Sequence, residues 1–335
     1  MPVNATPDEK IFLRTYQSFR FSESKIRYLK NAFVTSSGLV TGRNGLINEC
    51  YHYKWNGQFY LFSVEALRYY NQAMSDEQKF MVFDNQETYL LIHHPWHANY
   101  YHWLNETLYR LWLIKDQADQ MVLLLPDKDK LSAFALDSLK LFNFKNIIHI
   151  PDGNMALVET LCIPAQKPNM ESYNSTALFE LRKMYVNYVS SKPITANNLE
   201  RIYVSRGKSS RRKIVNEDEV IDTMRKYNFS IIYCEDYTFY EQVALFSQTK
   251  YLVGNHGAGL TNMLFMPTGS IVFELLMKTS KPKRNQNFIY WYMSESLKLK
   301  YYHQYCEPTN PNESFFTADL LVDIELLNKN LNLIL

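Results

Sequence analysis

Cysteine is scarce. The four in 335 residues, Cys50, Cys162, Cys234 and Cys306, lie far apart and form no C-x-x-C pair. That spacing points to neither a zinc site nor a dithiol redox motif, and the scarcity fits a reducing compartment. Excess charge is lacking too: a net charge of +2 gives no polyelectrolyte character, so nucleic acid is not an expected partner. No apolar run approaches the roughly 20 residues of a membrane span. The opening residues, MPVNATPDEK, have neither the basic nor the apolar region of a secretory signal. These absences lead us to expect a cytoplasmic protein, with membrane contact at most peripheral and at the inner face. A strand followed by G-x-G-x-x-G is also missing, which disfavours a dinucleotide-dependent oxidoreductase.

What remains is a globular composition, 46% hydrophobic and 21% charged, on a length that suits two domains. Up to about residue 90, short aromatic runs such as Phe59 to Phe62 alternate with glycines and read as small strands and turns. Beyond it, Tyr89 to Ile92 is an apolar strand, followed by His93, His94 and His97. Three histidines so close suggest a metal, but pre-proline geometry favours an extended turn, and no carboxylate stands at helical ligand spacing beside them.

Asn99 to Leu111 has a helical period, which puts His102, Glu106 and Arg110 on one side at i, i+4 and i+8. They line a cleft, or else Glu106 and Arg110 form an ordinary surface pair beside a solvated His102. Strand-like segments Met121 to Leu125, Ile147 to Ile150 and Leu157 to Ile163, with a helical stretch Lys130 to Phe142, have the rhythm of a parallel α/β sheet. Asp127 and Asp129 form a D-x-D; a helix cap is the favoured reading over a metal bridge to a diphosphate.

After a linker at residues 165–174, a second α/β segment begins with the strand Arg201 to Ser205. Arg206 to Lys213 then packs five cations into eight residues with Gly207 and serine hydroxyls, at the strand end where open parallel sheets bind ligands. Arginine's planar fork suits phosphate oxygens, although most charge runs are simply solvated. Asn216 with Glu219 opens a helix, Ser230 to Tyr233 is a strand, and Thr238 with Glu241 spells a capping box. Tyr251 to Val253 is a buried strand that stops at Gly254-Asn255-His256-Gly257-Ala258-Gly259, followed by helical turns from Leu260 to Phe265. Exposed amides at such a helix start favour a phosphate. The strand Ser270 to Leu275 follows and carries Glu274 at its end; helices are expected at 285–297 and 317–335 and a strand at 300–305.

Taken together, Asn99-x-x-His102-x-x-x-Glu106, Ser205-Arg206 with Arg211 and Arg212, Asn255-His256-Gly257-Ala258-Gly259-Leu260-Thr261-Asn262 and Phe273-Glu274 resemble glycosyltransferase family 61. The resemblance implies a GT-B fold, two Rossmann-like domains facing across a cleft, and inverting transfer from a nucleotide sugar, usually a UDP-sugar. It suggests an acceptor-side domain at 1–175, a nucleotide-sugar domain at 176–310, and a last helix, 311–335, packing back on the first domain. Arg206, Arg211 and Arg212 would then face the diphosphate with His256, Gly257, Ala258 and Gly259, Glu274 would hold the ribose, and His102 or Glu106 would be the base. The acceptor would be a glycan or lipid-linked glycan of a bacterial capsule or surface polysaccharide. No metal cofactor is expected to be required, with a divalent ion on Asp127 and Asp129 as the variant. The rival is a catalytically silent nucleotide-sugar or glycan binding protein on the same scaffold.

Overall fold

The computed structural model describes residues 1–14, 24–42, 45–47, 56–83, 86–165, 173–194, 198–278 and 287–335. The chain is an α/β protein whose residues fall into two compact units, Ser22–Asn169 and Met1–Phe21 with Met170–Leu335. Its first helix, α1 (Pro7–Leu13), belongs to the second of these and starts from a capping box made by Thr6 and Glu9.

Ser22–Asn169 holds strands β1 (Lys25–Thr35), β2 (Val40–Gly42), β3 (Gly45–Leu46), β4 (Phe80–Val82), β5 (Thr88–Leu91), β6 (Val122–Leu125), β7 (Asn146–His149) and β8 (Met155–Ala165). They form one mixed sheet in the order β3-β2-β1-β8-β5-β6-β7, with β4 also on β8. β5, β6 and β7 run parallel, and β5 and β6 are apolar on both faces because both are covered. Val34, Leu91, Leu124, Val158 and Leu161 meet in the core. Each such buried side chain contributes roughly 1.5–3 kcal/mol relative to exposure.

The helices of this unit are α2 (Asn56–Ser75), α3, which runs as Tyr100–His102, a π-helical turn Trp103–Thr107 and Leu108–Ile114, and α4 (Ala133–Leu139). The strand expected at Phe59 to Phe62 therefore lies inside α2. Ala66, Tyr69 and Ala73, spaced three and four apart, form its buried face, and the aromatic run hid that period.

The other unit is built on β9 (Arg201–Val204), β10 (Ser230–Ile232), β11 (Tyr251–Asn255), β12 (Ile271–Met277), β13 (Lys300–Pro308) and β14 (Leu320–Leu321). The sheet order is β10-β9-β11-β12-β13-β14, parallel except for β14. Counted from β9, the parallel strands run 2-1-3-4-5, a doubly wound order whose switch point lies between β9 and β11. Helices α5 (Ser175–Ser190), α6 (Glu217–Lys226), α7 (Phe239–Phe246), α8 (Ile289–Ser296) and α9 (Ile324–Ile334) complete it. The capping box read at Thr238 and Glu241 is present. Asn216 instead ties its side chain to the backbone of Val322, at 2.9 and 3.1 Å.

One expectation about the chain end needs correction. The helix expected over 317–335 begins only at Ile324, capped by Asp323, because Leu320–Leu321 pairs with β13. The helix packs on α6 and β13, with Tyr227 Oη donating to Asn328 O and Asn332 Oδ1. The N-terminal segment docks on β13 too, Val3 N–H donating to Tyr301 O and Asn4 Nδ2 to His303 O. Of the cysteines, Cys162, Cys234 and Cys306 are free thiols whose burial pushes them up to about 11, 12 and 12, outside the reactive range, and Cys50 lies outside the described residues.

Glu9 anchors this docked segment. Its carboxyl is lowered to about 2 by His303, whose Nε2 lies 3.4 Å away, with the Thr6 backbone helping against partial burial. A depressed carboxyl stabilises the fold above its unfolded value and loses that effect as pH falls toward the folded value. The melting temperature of Glu9→Gln should therefore lie below wild type at pH 7, the gap closing between about pH 4.5 and 2. A gap that stays constant over this interval would contradict the assignment.

Candidate active site

The residues expected to act chemically fall into two clusters, one in each unit. In Ser22–Asn169 the cluster is set by the start of α3. Asn99 caps it, its side chain accepting from the amides of Tyr101 and His102 at 2.9 and 3.4 Å. Glu106 falls in the π-helical turn and is buried, and its Oε2 lies 2.8 Å from His102 Nδ1 and 2.9 Å from His94 Nε2. Neither Glu106 nor Arg110 is solvated at the surface, as one of the two readings had it: Arg110 is buried as well and donates to the carbonyls of Ile92 and His93, at 3.3 and 3.4 Å.

Tautomers follow from the partners. The Trp96 amide donates to His94 Nδ1 at 3.3 Å, so the proton of a neutral His94 sits on Nε2, facing Glu106. His102 gives its Nδ1 proton to Glu106, which leaves its Nε2 with a lone pair. That is the arrangement of an imidazole base held by a carboxylate. The His102 ring is also stacked on Trp96, at 5.7 Å between centroids.

One ligand atom each of His94, His102 and Glu106 falls within 4.8 Å of the others, a set of the type that holds catalytic zinc. The fit is poor, however, because a metal on His94 Nε2 would push the ring proton onto Nδ1, against the Trp96 amide. Nor do the three neighbouring histidines act together. His93 is buried against the Ser36 carbonyl and held well below its usual value by burial first, and burial lowers His97 to about 4. Asp127 accepts from the amides of Asp129 and Asp152 at 3.0 and 2.8 Å, the cap that was favoured over a metal bridge.

The second cluster lies at the switch point. The turn after β9 carries Arg206, Arg211 and Arg212, and the turn after β11 carries His256 and Gly257 before the 3₁₀ helix Ala258–Phe265, whose first residues are Ala258 and Gly259. Asn255 Nδ2 donates to Arg212 O at 2.6 Å and ties the two turns together. That bond accompanies a left-handed backbone at Arg212, φ 55°, a conformation costing about 1–2 kcal/mol for a side-chain-bearing residue.

Arg206 folds back on its own turn, Nη2 reaching Ser209 Oγ at 2.9 Å, and packs closely against Gly257, where an added Cβ would stand 2.1 Å from Nη1. A Cβ at Gly259 would meet Val204 Cγ1 at 2.7 Å. The glycines are needed for this close approach. Burial lowers Arg206, and burial followed by the charges of Arg206 and Arg211 brings Arg212 down to about 10, so both remain cations at neutral pH. None of the three arginines has an ion pair among the described residues, and the buried Nε of Arg206 and of Arg212 has no acceptor there. Crowded guanidinium groups beside the first amides of a helix make a site for an anion.

Glu274 is not available to a ribose. Fully buried, it has one oxygen 2.5 Å from His256 Nδ1, and the other accepts from Tyr301 Oη at 2.5 Å. It holds His256, whose ring also packs against Tyr290 and Phe315. Tyr290 in turn donates to Gly257 O at 2.6 Å. Neither tyrosine could be read from the sequence as part of the site. Tyr301 stands opposite Val272 and so shares a face with Glu274 two residues on, a relation visible only once the register is known.

Comparison with known families matches residues 100–273, more than half of the chain, to Glycosyltransferase 61. The chain belongs to glycosyltransferase family 61. The match takes in His102 and Glu106 of the first cluster and the arginine and glycine turns of the second. This family 61 chain is also 32% identical over 110 residues to the EGF domain-specific O-linked N-acetylglucosamine transferase of Drosophila melanogaster, covering 32% of this chain and 20% of the relative. The mouse protein of the same name is 36% identical over 69 residues, 19% of this chain and 13% of the relative. The similarity thus spans about a fifth or less of the relatives it matches.

Gly257→Ala tests the close approach. Because the clash is with the end of a flexible side chain, the fold should survive, with a melting temperature within a few degrees of wild type, while Arg206 is displaced. Pyrophosphate affinity by calorimetry should fall on the order of tenfold, the scale of one charge-assisted hydrogen bond. Unchanged affinity would mean that Arg206 does not contact the anion.

Proposed function

We propose that this protein is an inverting glycosyltransferase that moves a sugar from a nucleoside-diphosphate sugar, first of all a UDP-sugar, to a hydroxyl of a glycan or lipid-linked glycan in capsule or surface-polysaccharide synthesis. One observation carries the proposal above the others: Arg206, Arg212 and the glycine turn converge at the switch point of the doubly wound sheet, with no carboxylate paired to the guanidinium groups among the described residues. A diphosphate is the ligand that this charge pattern suits. The names of the relatives add N-acetylglucosamine to the donors worth testing first.

In the proposed GT-B reading one unit serves the acceptor and the other the donor. His102 Nε2 takes the proton of the acceptor hydroxyl, its Nδ1 proton remaining on Glu106. The acceptor oxygen bonds to the anomeric carbon from the face opposite the diphosphate, the bond from that carbon to the phosphate oxygen breaks, and its electron pair leaves on the diphosphate. A single displacement inverts the configuration. Arg206, Arg212 and the amides of Gly257, Ala258 and Gly259 neutralise the departing charge, with Arg211 at the exposed rim. Such preorganised donors act where charge develops and need no metal cofactor. His256, held through Nδ1 by Glu274, sits in the same turn.

The test is nucleotide release and glycosyl transfer from UDP-N-acetylglucosamine and other UDP-sugars, with an acceptor glycan present. His102→Ala should lower turnover ~10² to 10⁴-fold, the usual weight of a general base, while UDP still binds. Arg206→Ala with Arg212→Ala should abolish UDP binding, and excess chelator should leave the wild-type rate unchanged. Wild-type turnover in His102→Ala together with its loss in Glu106→Gln would move the base to Glu106. UDP binding without any release from UDP-sugars would favour the silent binding protein.

A further inference from the structure

With Glu274 committed to His256 and Tyr301, the nucleoside of a donor lacks the acid expected for it, and the sheet offers another. β10 runs beside β9 in register, Ile232 opposite Val204, so the segments that follow the two strands leave the same edge of the sheet as neighbours. In doubly wound sheets the phosphates lie beyond the first of these strands, and an acid beyond the second takes the ribose hydroxyls. That place is occupied here by the 3₁₀ turn Cys234–Asp236.

Among the described residues, two acids of the neighbouring segments are already engaged. Asp236 is paired with Lys208 Nζ, and Glu217 accepts from Ser205 Oγ and Tyr203 Oη at 2.7 and 3.1 Å. Glu235 remains: it is exposed and makes no hydrogen bond or ion pair among the described residues. Its charge still reaches the phosphate side. Burial lowers Arg206, and Glu235, with Tyr290, acts in the opposite sense.

The turn that carries Glu235 is also fixed to the glycine turn. Gln242 Nε2 donates to the carbonyls of Cys234 and Tyr237, each at 3.1 Å, and Gln242 Oε1 accepts from Asn262 Nδ2 at 2.9 Å. The same Asn262 nitrogen donates to Gly259 O at 3.2 Å. This chain of amides fixes the backbone of the turn that carries Glu235 relative to the glycine turn, as the recognition of a rigid sugar requires.

We propose that Glu235 accepts the ribose hydroxyls of a nucleoside diphosphate whose phosphates lie on Arg206 and Arg212, so that the site selects ribonucleotides over 2′-deoxyribonucleotides. The proposal rests on the donor site described above. Calorimetric titration of the full chain with UDP, GDP and ADP, with their 2′-deoxy counterparts and with inorganic pyrophosphate separates the two. Wild type should prefer the ribonucleotide it binds over its deoxy form on the order of tenfold or more, the weight of a hydrogen bond to a charged group. Glu235→Ala should bring that ratio close to one and leave pyrophosphate affinity unchanged or higher, since a negative charge beside Arg206 is gone. Glu235→Gln, which keeps an acceptor oxygen, should fall between. An unchanged ratio in Glu235→Ala would overturn the role of Glu235 and leave the donor site standing. Failure of all three ribonucleotides to bind wild type would overturn the donor site and this role with it.

Discussion

Arg206 lies where a side chain at position 257 would be, and much of the second unit is arranged around that contact. A guanidinium can approach this strand-end turn so closely only if the turn is glycine, and the turn must be held while a second arginine, Arg212, is brought close to the first. Asn255 does the holding from one side and Tyr290 from the other. Like charges so placed repel each other in a half-buried setting, a cost that an anion relieves. The arrangement therefore makes sense as a site awaiting a negatively charged group, and as an isolated feature of stability it does not.

The histidine-glutamate cluster of the other unit follows a related logic with the sign reversed. Glu106 is a buried acid on a π-helical turn, a distortion that often marks functional sites. Two imidazoles meet one of its oxygens, and the Trp96 amide decides which nitrogen of His94 bears the proton. His102 gives its own Nδ1 proton to that oxygen, so in the neutral ring Nε2 carries the lone pair. In both clusters a carboxylate orients a histidine: Glu106 holds His102, and Glu274 holds His256.

Much of this was legible in the chain. The glycine turn after Tyr251 to Val253, the arginine turn after Arg201 to Ser205, and the capping box at Thr238 each follow from local chemistry, and each is present. Long-range relations were not legible. Glu274 looked like a ribose acid because strand ends usually face ligands, whereas the register of β12 with β13 buries it against Tyr301. His94 was grouped with His93 and His97 by nearness in sequence, but adjacent extended residues face opposite ways, and only His94 turns toward α3. The fate of the last helix was likewise set by a two-residue strand, Leu320–Leu321, too short to announce itself.

The account comes down to where a diphosphate sits. A crystal structure of the protein with UDP, or with whichever nucleoside diphosphate proves to bind, would show this directly. The phosphate oxygens should lie within hydrogen-bond distance of Arg206, Arg212 and the amides of Gly257 to Gly259. Phosphates bound elsewhere, with these groups unmoved and untouched, would contradict the assignment of the switch-point cluster as the donor site.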